Sequence, residues 1–145
     1  MTWLTHPAND FAQVFSLRTN LYNDYRLFEA ALEKQLDQRL MWVCKARCAQ
    51  LHHCTMDGEL KRSLGDDLIA ALPQWYNDPR FSALEKSALQ LAECFCLDPH
   101  SISDDMAAAV VAHLGDAGLV ALLEFLALCD GFARFRAILN IEEAA

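Results

Sequence analysis

Residues 44–54 read CKARCAQLHHC, which gathers three of the six cysteines and two of the five histidines. On a helix running from about Leu36 to Met56, Cys44, Cys48 and His52 stand at i, i+4 and i+8 and line one face. That face is a reactive thiol site, a metal site, or a packed core rich in sulfur. Each reading requires the stretch to be helical, so the fold is read outward from it.

The neighbouring segments are helical too. Tyr25, Leu27, Phe28 and Leu32 give an apolar face to a helix from about Tyr22 to Leu32. Before it, residues 1 to about 20 read as a lead-in segment with a short helix, DFAQVFSLR. Gly58 ends the sulfur-rich helix or begins a turn. Asp66 is a fitting cap for GDDLIAALPQW, which Pro73 ends or bends. Ser82 and Glu85 have capping-box spacing, and the helix they open runs to about Cys96 with Leu84, Ala88, Leu91, Ala92 and Phe95 on one stripe. Ser103 caps the next helix and Gly115 closes it near Leu114. Asp116 starts the last helix, from Ala117 to about Leu139, whose first half is apolar on nearly every side and calls for burial in a bundle or an oligomer interface. Strand patterns are nearly absent. The expectation is an all-α, single-domain bundle of about six or seven helices over residues 1–145.

Composition narrows the function. The chain has 145 residues, enough for a core without disulfide staples. Its formal net charge is −8, and its basic residues are scattered, so neither nucleic acid nor an anionic membrane is an expected partner. The first residues, MTWLTHPANDF, lack the basic and apolar regions of a signal peptide. The most apolar run, Ala117 to Cys129, contains Glu124 and is shorter than the roughly 20 residues of a membrane span. A cytoplasmic location is the resulting expectation. Thiols there stay reduced, so clustered cysteines read as catalytic, redox-active or metal-binding.

A thiol beside an imidazole can become a thiolate at neutral pH, because the ring accepts the proton. Cys48 and His52 are the pair so placed, with Lys45 and Arg47 adding positive charge. Glu33 is positioned upstream to orient His52 if the chain folds back. Packing is the competing account, since free cysteine behaves as a small hydrophobe. Cys94, Cys96 and Cys129 lie in apolar segments and read as packing residues, while His53 and Cys54 fall off the face toward solvent. His6, His100 and His113 have no partner at useful spacing. A structural zinc site needs four ligands, and Cys44, Cys48 and His52 supply three. No metal or other cofactor is expected.

Glu33, Lys45, Cys48 and His52 also occupy the four places of a known pattern. The chain resembles the carboxymuconolactone decarboxylase family, which includes alkylhydroperoxidase D and carries E-x11-C-x2-C-x3-H. VFSLRTNLYNDYRLFEAAL is similar to the family's lead-in helix, with Thr19 where proline is usual. FSALEKSALQLAECF is similar to its second block, and HLGDAGLVALLEFLALCDGFARFRAILNI to its closing segment. The likeness runs from about Phe11 to Ile141.

The resemblance implies a helical protein assembled as a trimer or hexamer. It implies a thiol-dependent peroxidase, with Cys48 as the nucleophile, His52 as its base and Glu33 as the partner of His52. Lys45 stands at the family's first cysteine, so Cys44, one residue earlier, becomes the resolving thiol. The resulting C-x3-C pair has Cα atoms about 6 Å apart on a regular helix. The substrate would be a hydroperoxide, and an external dithiol the reductant. Family members without the thiol pair are decarboxylases; on that alternative Lys45 holds the carboxylate of an acid substrate. A catalytically silent oligomeric scaffold is the third reading.

Overall fold

The computed structural model describes residues 3–5 and 10–141; His6, in the lead-in segment, lies outside the described residues. The helices are α1 (Phe11–Phe15), α2 (Thr19–Glu33), α3 (Gln38–Leu51), α4 (Gly58–Leu64), α5 (Asp66–Ala71), α6 (Ala83–Leu97) and α7 (Asp104–Leu139). No strand occurs among the described residues. The all-α expectation holds.

Short polar side chains set most of the starts by accepting orphan backbone amides. The Gln13 amide donates to Asp10 at 2.8 Å, the Leu40 amide to Asp37 at 3.1 Å and the Leu60 amide to Asp57 at 2.7 Å. Ser82 and Glu85 form the expected capping box, and the Met106 amide donates to Ser103 at 3.2 Å. Two glycines set breaks. Gly65 (φ 83°, ψ 151°) separates α4 from α5, and Gly115 (φ 73°, ψ 177°) interrupts α7. Both lie where a Cβ is unfavourable, so glycine is needed for the change of direction.

The sulfur-rich helix is shorter than its sequence suggests. It ends at His52 because His53 turns left-handed at φ 54°. The His53 amide then donates to the Gln50 carbonyl at 3.2 Å and the Cys54 amide to the Ala49 carbonyl at 2.9 Å. This is the Schellman arrangement, and it satisfies carbonyls that a helix end leaves open. The following residues form α4, which the sequence reading missed by treating Gly58 as a stop. Asp57 is the cap that starts it.

The core lies where α3, α6 and α7 meet. Leu40, Val43, Leu89, Leu91, Leu122 and Leu126 are fully buried there, each Leu contributing about 1.5–3 kcal/mol through removal from water. Two ion pairs bridge α3 and α6 beside this core. Arg39 Nε lies 2.7 Å from Glu85, and Arg47 Nε lies 2.8 Å from Glu93. Glu93 also accepts the Trp75 indole N–H at 2.8 Å. An aromatic cluster of Phe11, Phe15, Tyr25, Phe132 and Phe135 seats α1 and α2 on the end of α7.

By length and composition α7 is apolar enough to cross a membrane, and 22% of its most apolar window is buried within the chain. The sequence reading ended that run at Cys129. Gly115 divides the helix, and Val120 and Ile138 are exposed along it.

Candidate functional site

Cys48 lies on the buried face of α3, and its sulfur contacts run across to other helices. Cys96 Sγ, on α6, is 3.5 Å from Cys48 Sγ. Cys129, on α7, also acts on the Cys48 thiol. Those two thiols, together with burial, push the Cys48 ionisation well above the ordinary cysteine range. Cys44 is fully buried one turn back along α3, and burial pushes its thiol up as well. Cys48 is therefore held as a thiol in a sulfur cluster. The sequence reading expected a thiolate here, with Lys45 and Arg47 lending positive charge. The fold gives Arg47 to Glu93 and Lys45 to Asp57, at 2.8 and 3.5 Å.

His52 closes α3 at the edge of this cluster. Its Nε2 lies 2.6 Å from Asp130 Oδ1, a short hydrogen bond between the end of α3 and the middle of α7. The side chains are 15% and 17% exposed, so the pair faces solvent on one side and the core on the other. Arg134, one turn after Asp130, bonds both carboxylate oxygens at 3.2–3.3 Å and the Cys96 carbonyl at 3.3 Å. The Cys96 sulfur, a His52 ring nitrogen and an Asp130 oxygen lie within 4.8 Å of one another.

The expected relay is thus rearranged. The carboxylate bonded to His52 is Asp130, whereas Glu33 at the end of α2 lines a cavity of about 150 Å³ together with Lys45, Asp57, Glu29 and Glu59. Leu32 and Leu36 are buried either side of that helix end, and Glu33 lines the same cavity as Lys45. One lysine among four carboxylates leaves the cavity with a net charge of about −3, counting each at its neutral-pH charge. A carboxylate held by Lys45 would meet repulsion there. A smaller recess, sharing Glu29, Lys45 and Phe125 with this cavity, reaches Cys129.

Three residues assigned to packing or solvent acquire contacts of their own. Cys96 touches Cys48, Cys129 bears on the Cys48 ionisation, and Cys54 donates its S–H to the Ala133 carbonyl at 3.4 Å. Asp130 drew no notice in the sequence. Its signal was a lone acid directly after the apolar run of α7. The signal for Cys96 was its place four residues after Ala92, on the buried stripe of α6.

No family model matches the chain. It is similar to a protein of Escherichia coli (strain K12) described as uncharacterized protein YnjA, at 27% identity over 124 residues. That likeness covers 79% of this chain and 68% of the relative.

Proposed function

We propose that the protein is a thiol-dependent oxidoreductase of the peroxidase type, working through a Cys48–Cys96 couple. The observation that carries this reading is the 3.5 Å contact between the two sulfurs, with the His52–Asp130 pair at its solvent side. The resemblance of Glu33, Cys48 and His52 to the carboxymuconolactone decarboxylase pattern supports the same class. It leaves the two roles to be assigned from geometry: Cys96, beside His52, takes the nucleophile's part that the resemblance gave to Cys48, and Cys48 takes the resolving part given to Cys44.

His52, held by Asp130, takes the proton of Cys96. The Cys96 thiolate attacks the distal oxygen of a hydroperoxide. An S–O bond forms, the O–O bond breaks, and the departing alkoxide takes the proton from His52 to leave as an alcohol. Cys48 then attacks the Cys96 sulfenic acid, releasing water and forming the disulfide. An external dithiol restores both thiols by exchange. The net change is reduction of one hydroperoxide to alcohol and water by one dithiol.

The test is hydroperoxide consumption by the purified protein with a dithiol reductant. Wild type and Cys94→Ser are expected to turn over; Cys96→Ser and Cys48→Ser are not. In Cys48→Ser a sulfenic acid should be trapped on Cys96 by a carbon nucleophile and read by mass. Undiminished turnover in Cys96→Ser would refute the proposal, as would an inactive wild type.

The same reading includes assembly of several copies. The exposed apolar face of α7, with Val120 and Ile138, is a surface that a trimer or hexamer would bury. Light scattering on the purified chain measures this directly, and a monomer at micromolar concentration would count against it.

A further inference from the structure

We propose that Cys96, His52 and Asp130, joined by Cys48, form a binding site for a zinc-class divalent ion in the reduced protein. The sequence reading counted donors along one helix. The fold adds one from α6 and one from α7, which brings His52, Cys96 and Asp130 together, and Cys48 adjoins that group through its 3.5 Å contact with Cys96.

Two donor pairs are close to the spacing such an ion requires, and Cys48 turns toward His52 and Asp130 to complete the set. With Zn–S bonds near 2.3 Å, two thiolates in a tetrahedral site stand about 3.8 Å apart. Cys48 Sγ and Cys96 Sγ are 3.5 Å apart. With Zn–N and Zn–O bonds near 2.1 Å, imidazole nitrogen and carboxylate oxygen stand about 3.4 Å apart. His52 Nε2 and Asp130 Oδ1 are 2.6 Å apart because a proton bridges them. Exchanging that proton for an ion opens the gap by about 0.8 Å, within reach of a small rotation of the Asp130 side chain.

The donor types match as well. Two sulfurs and an imidazole select zinc or cobalt over magnesium or calcium, which need mainly oxygen. Asp130 also has the outer contact that a ligating carboxylate wants, because its second oxygen keeps the Arg134 guanidinium at 3.2 Å. Binding would displace the protons of both thiols into solvent, and no electrons would move. With both sulfurs held by the ion, they cannot join to each other. Ion and disulfide are then alternative states of the same two cysteines. The metal site does not depend on the peroxidase reading, since it needs only the four side chains.

The experiment is titration of the fully reduced protein with Co²⁺ alone, under a reductant that carries no thiol. One ion per chain is expected, with thiolate-to-cobalt charge-transfer absorption and the intense visible bands of a tetrahedral site. Zn²⁺ should bleach both and protect Cys48 and Cys96 from alkylation. His52→Gln and Cys96→Ser should each weaken binding by at least about tenfold, while Cys94→Ser should not. Helical circular dichroism checks that each variant is folded, and in the wild type the alkylation pattern reads the site without any variant. Absence of the charge-transfer band overturns the proposal, as does equal affinity in folded Cys96→Ser. A wild type that binds Co²⁺ but reduces no hydroperoxide keeps the metal site and removes the redox reading. A wild type that reduces hydroperoxide but gives no cobalt–thiolate band does the reverse.

Discussion

Oxidation of Cys48 and Cys96 offers a quantitative test. The two residues are 48 apart in the chain, and their sulfurs must close from 3.5 Å to the roughly 2.05 Å of a disulfide. Cross-linking a loop of that length removes about 14 cal/mol/K from the unfolded chain, or about 4 kcal/mol at 25 °C. For a domain of this size, each kcal/mol moves Tm by about 3 °C. Stoichiometric oxidation by a diazenedicarboxamide should therefore raise Tm by about 12 °C, less the strain of drawing the sulfurs together by about 1.5 Å. The assay is a thermal melt of oxidised and reduced protein, with the bridge located by peptide mass after alkylation. A bridge located between Cys44 and Cys48 would refute the pairing. A Cys48–Cys96 bridge that lowers Tm would refute the claim that the helices already hold these sulfurs near bonding position.

Three further outcomes are expected. Gly115→Ala should cost about 1–3 kcal/mol in a urea titration, from the backbone alone, because a Cβ there meets nothing within 4 Å. Asp130→Ala removes the bond to His52 and the pair with Arg134 and should cost about 1–3 kcal/mol; a loss below about 0.5 kcal/mol would mean that the end of α3 is not tied down by Asp130. Tyr25 is buried beside Glu29, and burial first, then that carboxylate, raises its ionisation far above the ordinary phenol value. The folded chain keeps this proton while the unfolded chain releases it, so stability should be complete below about pH 10 and fall as pH rises beyond it. In urea titrations Tyr25→Phe should flatten that decline, and an unchanged slope would contradict the cause given.

Local features were legible in the sequence because they act over a few residues. The Ser82–Glu85 box, the Ser103 cap and the Gly115 break each depend on neighbours within one turn. The helix ends were less so. His53 adopts a left-handed conformation more usual for glycine or asparagine, and nothing local marks it as the stop of α3. The site was legible only on α3. Cys48 and His52 are separated from Cys96 and Asp130 by 48 and 78 positions, respectively. Such pairings follow from how helices stack, and helical periodicity carries no information about it. Glu33 shows the same limit: its spacing matched a motif, while the packing of Leu32 and Leu36 directs it to the cavity of Lys45.

The two arginine–glutamate bridges carry a consequence for how this chain tolerates change. Arg39 reaches Glu85 and Arg47 reaches Glu93, each 46 positions on, so α3 and α6 run in the same direction with the bridges eight positions apart on both. The Cys48–Cys96 contact lies just beyond the second bridge. One residue inserted between Arg39 and Arg47 would rotate everything after it by about 100° and break the match at one end. The loop positions between His53 and Phe81 that lie outside α4, α5 and their core leucines are not bound to this register. Insertions and deletions there should leave the sulfurs facing each other, whereas a single insertion inside either helix should part them.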